Sequence, residues 1–265
     1  MPEMLAVGSG SAARQIAVLR RPGQAPGLFW MGGYRSEMTG AKATAIDAHG
    51  TAHGLAVTRF DYSGHGQSGG DFLDGTISRW LEESLAVFAS CSGPQVVIGS
   101  SMGGWLALLL NRALRRAGDD RVKALILIAP AVDMTQALME ASFSAGERQA
   151  MAETGLVEQP SDYSDQPYPI TRALIEDGRQ HLLLGERGID AGCPVTILQG
   201  GRDTDVPQAH ALRLAQHLLT DPVTVTLIPD GDHRLSRPAD LELLQAAISR
   251  AVADAVPAQA ELPLG

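Results

Sequence analysis

The stretch VVIGSSMGGWLALLL, residues 96–110, joins a strand-like apolar run to a helix-like apolar run through a cluster of small residues. Within it, Gly99, Ser101 and Gly103 fit the pattern Gly-x-Ser-x-Gly. A serine in this pattern lies on a sharp strand-to-helix turn, and the glycines two positions away leave room for that strained turn. The other serine, Ser100, would have bulky residues in those two positions. The pattern therefore predicts Ser101 as a nucleophile; the alternative is a tight connection without catalysis.

Short apolar runs alternate with helix-like segments along most of the chain, which is typical of a mainly parallel sheet with helices on both faces. The strand-like runs are GLFWMG, LAVTRFDYS, PQVVIGS, VKALILIAP, PVTILQGG and VTVTLIPD, preceded by a predicted hairpin of EMLAVGSG and RQIAVLRR. Helical patterns cover residues 41–53, 76–90, 103–117 and 207–219, and a last helix begins near Pro238. The sequence thus predicts an α/β class with a doubly wound sheet.

Residues 133–189 interrupt this alternation and are predicted as a small helical cap, which leaves residues 1–132 and 190–265 as the core. The middle of the segment, EQPSDYSDQPYP, is typical of a loop, and helix-like pieces flank it. Open α/β sheets bind ligands beyond the carboxyl ends of their strands, so we expect the cap to cover that edge. The alternative is that the segment forms plain connecting helices packed on the sheet.

The composition argues against several classes of protein. The formal net charge of −9 and the lack of a basic run disfavour nucleic acid. No apolar stretch approaches the roughly 20 residues that span a bilayer, and the opening residues predict no secretory signal. Two cysteines, Cys91 and Cys193, form no disulfide framework and no Cys-x-x-Cys motif. We expect a cytoplasmic protein, a monomer or weak dimer, without metal or cofactor.

The order of residues along the chain selects a base for Ser101. On folds with a serine at such a turn, the acid follows the serine and a histidine follows the acid. His233 lies in LIPDGDHRLSRP, a glycine-containing loop after the last predicted strand, and is the predicted base. The remaining histidines precede Ser101, lie in the predicted cap or lie on a predicted helix: His49, His53, His65, His181, His210 and His217. The alternative is that His233 is an ordinary surface histidine.

The acid is predicted to be Asp203, which comes first out of the strand in VTILQGGRDTDVP. Its carboxylate would fix the tautomer of the histidine and stabilise the imidazolium. Asp205, two residues later, is better placed to favour the start of the following helix. Asp133, at the end of LILIAPAVD, stays as the outside candidate because some enzymes with this arrangement take the acid from the preceding strand.

Two backbone N–H groups are predicted to bind the oxygen that becomes negative during acyl transfer. The N–H of Met102 begins the helix after Ser101 and points toward that oxygen. The loop FWMGGYRSEMTG, which follows an earlier strand, supplies Gly32, Gly33 and Tyr34, and we assign the second donor to the Tyr34 N–H. The alternative for this loop is an ordinary glycine turn.

The chain resembles an α/β-hydrolase, since FDYSGHGQSGG, residues 60–70, is similar to a turn found in many of that superfamily. Within it, GGYRSEMTGAKA, RFDYSGHGQS, GSSMGGWLALLL, GGRDTDVP and SRPADLELL resemble the alpha/beta-hydrolase-domain-containing protein 10 family. The resemblance runs from about residue 27 to 248 and implies an α/β-hydrolase fold with Ser101, Asp203 and His233 as its triad. Members of that family are described as palmitoyl-protein thioesterases and acyl-glucuronide esterases. The opening residues predict no mitochondrial leader like that of the animal members, and the Ala- and Arg-rich, Lys-poor composition is typical of a bacterial member.

These residues predict a serine hydrolase that cleaves carboxylic esters or thioesters through an acyl-enzyme. The substrate is expected to be a small ester or thioester, or an acylated peptide. Met134, Leu138 and Phe143 of the predicted cap suggest an apolar acyl group, although they could equally form the core of the cap. The alternative is a binding module on a hydrolase fold, whose mark would be a missing member of the triad.

Overall fold

A mixed sheet of eight strands organises the protein in this computed structural model, which describes residues 1–160, 167–185 and 188–255. The strands along the chain are β1 (Glu3–Val7), β2 (Arg14–Arg21), β3 (Gln24–Met31), β4 (Leu55–Phe60), β5 (Gln95–Ser100), β6 (Val122–Ile128), β7 (Leu156–Gln159), β8 (Tyr168–Thr171), β9 (Val195–Gly200) and β10 (Val223–Ile228). The helices are α1 (Ala41–His53), α2 (Ile77–Ala89), α3 (Met102–Arg116), α4 (Ala145–Thr154), α5 (Arg172–Gly178), α6 (Gln208–His217) and α7 (Pro238–Ala255).

The order of strands in the sheet is β1-β2-β4-β3-β5-β6-β9-β10. The six strands from β4 to β10 in this order run parallel, whereas β2 pairs antiparallel with both β1 and β4. The predicted opening hairpin and the mainly parallel, doubly wound sheet are therefore confirmed. Because parallel strands end at one common edge, the loops after β3, β5, β9 and β10 meet there.

Each face of the sheet buries its own apolar cluster, because successive side chains of a strand point to opposite faces. In β5, Val97 packs in the cluster beneath α2, α3 and α6, whereas Val96 and Ile98 pack in the cluster beneath α1 and α7. All three side chains are fully buried. Strands covered on both faces explain why the sequence showed continuous apolar runs instead of alternation.

The segment between β6 and β9 contains more than the predicted helices. A π-helical turn (Thr135–Glu140) is followed by α4, by β7 and β8, which pair antiparallel as a separate two-stranded sheet, and by α5. The hydrophobic pattern of the sequence did not predict this hairpin, because each of its strands has only four residues. Four residues of the predicted loop, Glu158, Gln159, Tyr168 and Pro169, belong instead to these strands, and residues 161–166 of that loop fall outside the described residues.

None of the helices within residues 1–160, 167–185 and 188–255 combines the length and the apolar character needed to cross a membrane.

Candidate active site

Ser101 lies between the end of β5 and the start of α3, with φ 54° and ψ −119°. A positive φ is strained for a residue with a side chain, so the surrounding structure must hold Ser101 in place. A Cβ on Gly103 would collide with the carbonyl oxygen of Met31, and a Cβ on Gly99 with that of Gly103. The two glycines predicted to make room for the turn are thus required by sterics.

Ser101 and His233 come within hydrogen-bonding distance at the carboxyl edge of the sheet. The Oγ of Ser101 lies 3.0 Å from Nε2 of His233, and Nδ1 of the same ring lies 2.9 Å from Oδ2 of Asp203. Asp203 follows β9 and His233 follows β10, the adjacent parallel strand. An imidazole between a hydroxyl and a carboxylate can take the serine proton at one nitrogen while the other stays oriented.

The carboxylate of Asp203 is buried and fully engaged. Its Oδ1 accepts hydrogen bonds from the backbone N–H groups of Asp205 and Val206, and its Oδ2 accepts one from the Gln199 amide in addition to facing His233. Asp205, His233 and Asp203 offer ligand atoms within 4.8 Å of one another, a grouping that also suits a cation. Because the oxygens of Asp203 already accept these bonds, the arrangement orients an imidazole.

Asp133, the outside candidate for the acid, bonds elsewhere. Its buried carboxylate accepts the backbone N–H groups of Leu183 and Leu184, each at 2.8 Å. Burial raises the pKa of this carboxyl, and the two N–H groups act in the opposite direction. Asp133 has a positive φ of 56° and links the end of β6 to the segment that leads back to β9.

The loop after β3 lies against the nucleophile. A Cβ on Gly33 would be 3.3 Å from Cβ of Ser101, so a side chain at this position would crowd the serine. Met102 is the first residue of α3, and the first N–H groups of a helix have no partner inside it. Its side chain is fully buried in the core, and the oxyanion role of its N–H stays a prediction.

Tyr34, the residue after Gly33, connects this loop to the predicted cap. Its hydroxyl donates a hydrogen bond to the carbonyl oxygen of Pro169 in β8. Its ring packs edge-to-face on Phe72 and Trp80, with centroids 4.9 Å and 5.9 Å away. The backbone that carries the Tyr34 N–H is therefore anchored by its own side chain.

A cleft of about 440 Å³ opens beside this loop, and sequence reasoning did not foresee it. It lies between the loop after β3, the loop after β4 and the β7–β8 hairpin. Its lining includes charged, aromatic and aliphatic side chains, among them Arg35, Glu37, His65, Phe72, Leu73 and Glu158. The motif FDYSGHGQSGG forms part of the lining of this cleft, and it was the feature of the sequence that could have indicated the cleft.

The three residues predicted to contact the acyl group are separated in the structure. Met134 is buried in the larger cluster of the core, and Leu138 packs against that cluster. Phe143 is buried with Val157, Ile170 and Ile175, an apolar cluster formed entirely by residues 133–189. Phe143 thus stabilises the packing of that segment, and the acyl-binding role of all three residues stays a prediction.

The fold and these contacts agree with the family to which the sequence belongs. Residues 24–242 match the model of the Alpha/beta hydrolase family. Since this match covers most of the chain, the chain belongs to the alpha/beta hydrolase family and is a hydrolase.

Within the family, the chain is similar to alpha/beta hydrolase domain-containing protein 10, as the sequence motifs predicted. It is 36% identical over 233 residues to the mouse palmitoyl-protein thioesterase ABHD10, covering 86% of this chain and 76% of that protein. The structure of the mouse protein superimposes with a TM-score of 0.84 at 30% identity, covering 96% of this chain and all of the other. A putative hydrolase from Agrobacterium vitis S4 has a TM-score of 0.92 at 49% identity, covering 95% of this chain and 98% of that one.

Proposed function

We propose that this protein is a serine hydrolase that cleaves carboxylic esters or thioesters through an acyl-enzyme. Ser101 is the nucleophile, His233 the general base and acid, and Asp203 the carboxylate that orients the histidine. The observation that carries the proposal is the continuous line of contacts from Ser101 Oγ through the imidazole to Asp203, at 3.0 Å and 2.9 Å.

The first half of the reaction forms the acyl-enzyme. Nε2 of His233 takes the proton of the Ser101 hydroxyl while Oγ attacks the acyl carbon, and a tetrahedral oxyanion forms. His233, now an imidazolium stabilised by Asp203, gives the proton to the departing alcohol or thiol. In the second half, the same nitrogen deprotonates a water molecule that attacks the acyl group, and the proton returns to Ser101 as the acid leaves.

The oxyanion is stabilised by the backbone N–H groups of Met102 and Tyr34. Both lie on packed segments, because Met102 begins a buried helix and Tyr34 follows Gly33, which lies next to Ser101. Donors held in place in this way cost no reorganisation during the reaction, and one such donor contributes roughly 10²- to 10³-fold in kcat.

The substrate proposal rests on the relatives and on the cap. The mouse relative is named a palmitoyl-protein thioesterase, which favours an apolar acyl group on a thioester or ester. We propose that residues 133–189 form a cap insertion on the core of residues 1–132 and 190–265, and that Met134 and Leu138 border the acyl chain. No metal or cofactor takes part in these steps.

Labelling with a fluorophosphonate probe tests the enzymatic proposal against a binding module on the same fold. The folded wild-type protein should become labelled, and Ser101→Ala should not. Ser100→Ala is the control, because Ser100 is the neighbouring serine but does not fit the Gly-x-Ser-x-Gly spacing, and this variant should still be labelled. A folded wild-type protein that resists the probe would refute the proposal.

A substrate panel narrows the acyl group and the leaving group. Rates on p-nitrophenyl esters of increasing chain length should rise toward long chains if the acyl site is apolar. Palmitoyl-cysteine peptide, acyl-CoA and acyl-glucuronide substrates then separate thioester from ester preference. A preference for acetyl esters would contradict the apolar acyl group and leave the triad proposal unaffected.

We also propose that the enzyme acts in the cytoplasm as a monomer or weak dimer. Cys91 and Cys193 are both free thiols, which supports a reducing compartment. Light scattering across a range of protein concentrations tests the oligomeric state, and a stable higher oligomer would contradict it.

A further inference from the structure

His65 precedes Ser101 in the chain and was therefore not a candidate for the base, yet it lines the cleft beside the loop after β3. Its side chain is 4% exposed, and it packs on Tyr62, Phe72 and Trp80. Its Nε2 lies 3.1 Å from the backbone nitrogen of Arg35, and its Nδ1 lies 3.1 Å from the carbonyl oxygen of Ser63.

These two contacts define the protonation of the ring. The N–H of Arg35 can only donate, so Nε2 of His65 must carry a lone pair, and the proton lies on Nδ1 and is donated to Ser63. Burial lowers the pKa of His65 to about 4, which keeps the ring neutral at pH 7. Since both nitrogens bond to the main chain, His65 does not exchange protons with the substrate.

The residue that His65 holds is strained. Arg35 has a φ of +56°, in the left-handed region that residues with side chains rarely adopt. Such a conformation persists only where the surroundings fix it. The Arg35 guanidinium donates to the carbonyl oxygen of Pro167 at 2.5 Å, so the residue is held by His65 at its backbone and by the β7–β8 side of the cleft at its side chain.

We propose that His65 is a positioning residue that fixes the peptide between Tyr34 and Arg35 and thereby aims the Tyr34 N–H at the oxyanion. This role rests on the function proposed above. Gly33 lies next to Ser101, where an added Cβ would come within 3.3 Å of the serine Cβ, so the three residues from Gly33 to Arg35 form a short segment between the nucleophile and His65. If the peptide between Tyr34 and Arg35 rotated, the neighbouring Tyr34 N–H would turn with it and would no longer point at the oxyanion.

Two substitutions separate the two hydrogen bonds of the ring. In His65→Gln, the longer side chain places an amide oxygen near the position of Nε2, where it can accept from the Arg35 N–H. In His65→Asn, the shorter side chain places its amide near Nδ1, where it can donate to Ser63 but not reach Arg35. The matched control is His53→Gln, an exposed histidine of α1.

Steady-state kinetics on one ester and one thioester should show that His65→Asn lowers kcat by about 10- to 100-fold, as misplaced catalytic groups do, with KM changed by less than about threefold. His65→Gln should keep kcat within about fivefold of the wild type, and His53→Gln should match it. Equal losses in the two His65 variants, or a loss confined to KM, would overturn the positioning role. Wild-type protein that hydrolyses nothing would instead refute the proposed function.

If neither His65 variant folds, ¹⁵N NMR of the wild-type imidazoles decides the question. The proposal requires His65 to carry its proton on Nδ1 and a bare Nε2 at pH 7. The opposite tautomer or an imidazolium would overturn it, because neither leaves Nε2 free to accept from Arg35.

Discussion

The carboxylate of Asp203 and the imidazole of His233 meet at 2.9 Å although 30 residues separate them in the chain. They meet because β9 and β10 are adjacent parallel strands, and the loops that leave these strands emerge at the same edge of the sheet. This contact predicts that Asp203 is the carboxylate that orients His233, which a substitution of Asp203 can test.

Replacing Asp203 should remove nearly all turnover. In Asp203→Asn the amide no longer holds the His233 tautomer with a free lone pair at Nε2, so we expect kcat to fall roughly 10⁴-fold. Asp205→Asn is the matched control, since Asp205 is exposed and the substitution keeps the backbone N–H that Asp205 donates to Asp203. The hydrolysis rate of a p-nitrophenyl ester measures both, and similar losses in the two variants would contradict the assignment.

Replacing Asp133 should affect stability more than chemistry. Asp133→Asn loses part of the acceptor for the Leu183 and Leu184 N–H groups, so the free energy of unfolding in urea should fall by about 1–3 kcal/mol. Asp190→Asn, which removes an exposed ion pair with Arg115, should change it by less than about 1 kcal/mol. A large loss of kcat in a fully stable Asp133→Asn protein would identify Asp133 as the acid instead.

A methyl group at the turn should strongly destabilise the folded protein. Gly103→Ala would drive its Cβ into the carbonyl oxygen of Met31, and we expect a loss of about 3 kcal/mol or more in the free energy of unfolding. Gly146→Ala is the control, because a Cβ on that glycine of α4 meets no atom within 4 Å. Gly146→Ala should leave the free energy of unfolding unchanged or raise it by up to about 1 kcal/mol, as measured by urea denaturation. Equal effects at the two sites would show that the turn tolerates a side chain.

The stability of the protein should fall as the pH drops below 6.5. His65 is neutral in the folded protein until its pKa of about 4, whereas in the unfolded chain it takes up a proton near pH 6.5. The unfolded state therefore binds more protons in this window, and stability present above pH 6.5 is lost progressively toward pH 4, by roughly 3 kcal/mol from this residue.

The variant His65→Gln isolates that contribution. Urea midpoints at pH 7 and pH 4.5 should differ less for this variant than for the wild type. Some dependence should remain, because burial also lowers the pKa of His49, His181 and His210. The same pH dependence in both proteins would contradict the low pKa of His65.

Much of the fold could be predicted because its signals are local. The apolar runs, the glycines around Ser101 and the helical periodicity of α3 each depend on residues close together in the sequence. The strand order and the β7–β8 hairpin could not be predicted in this way, since strands of four residues carry too short a pattern and pairing joins distant segments.

The residues of the candidate site also differ in whether the sequence or only the tertiary structure could identify them. The sequence alone determined which residues are the candidates for the chemistry, because a Gly-x-Ser-x-Gly turn and the order of serine, aspartate and histidine are properties of the chain. Only the tertiary structure decided that Asp133 accepts hydrogen bonds from Leu183 and Leu184, and that His65 accepts one from the N–H of Arg35. The physical reason is that a hydrogen bond forms between whichever groups the packing brings within about 3 Å, and separation along the chain does not encode that distance.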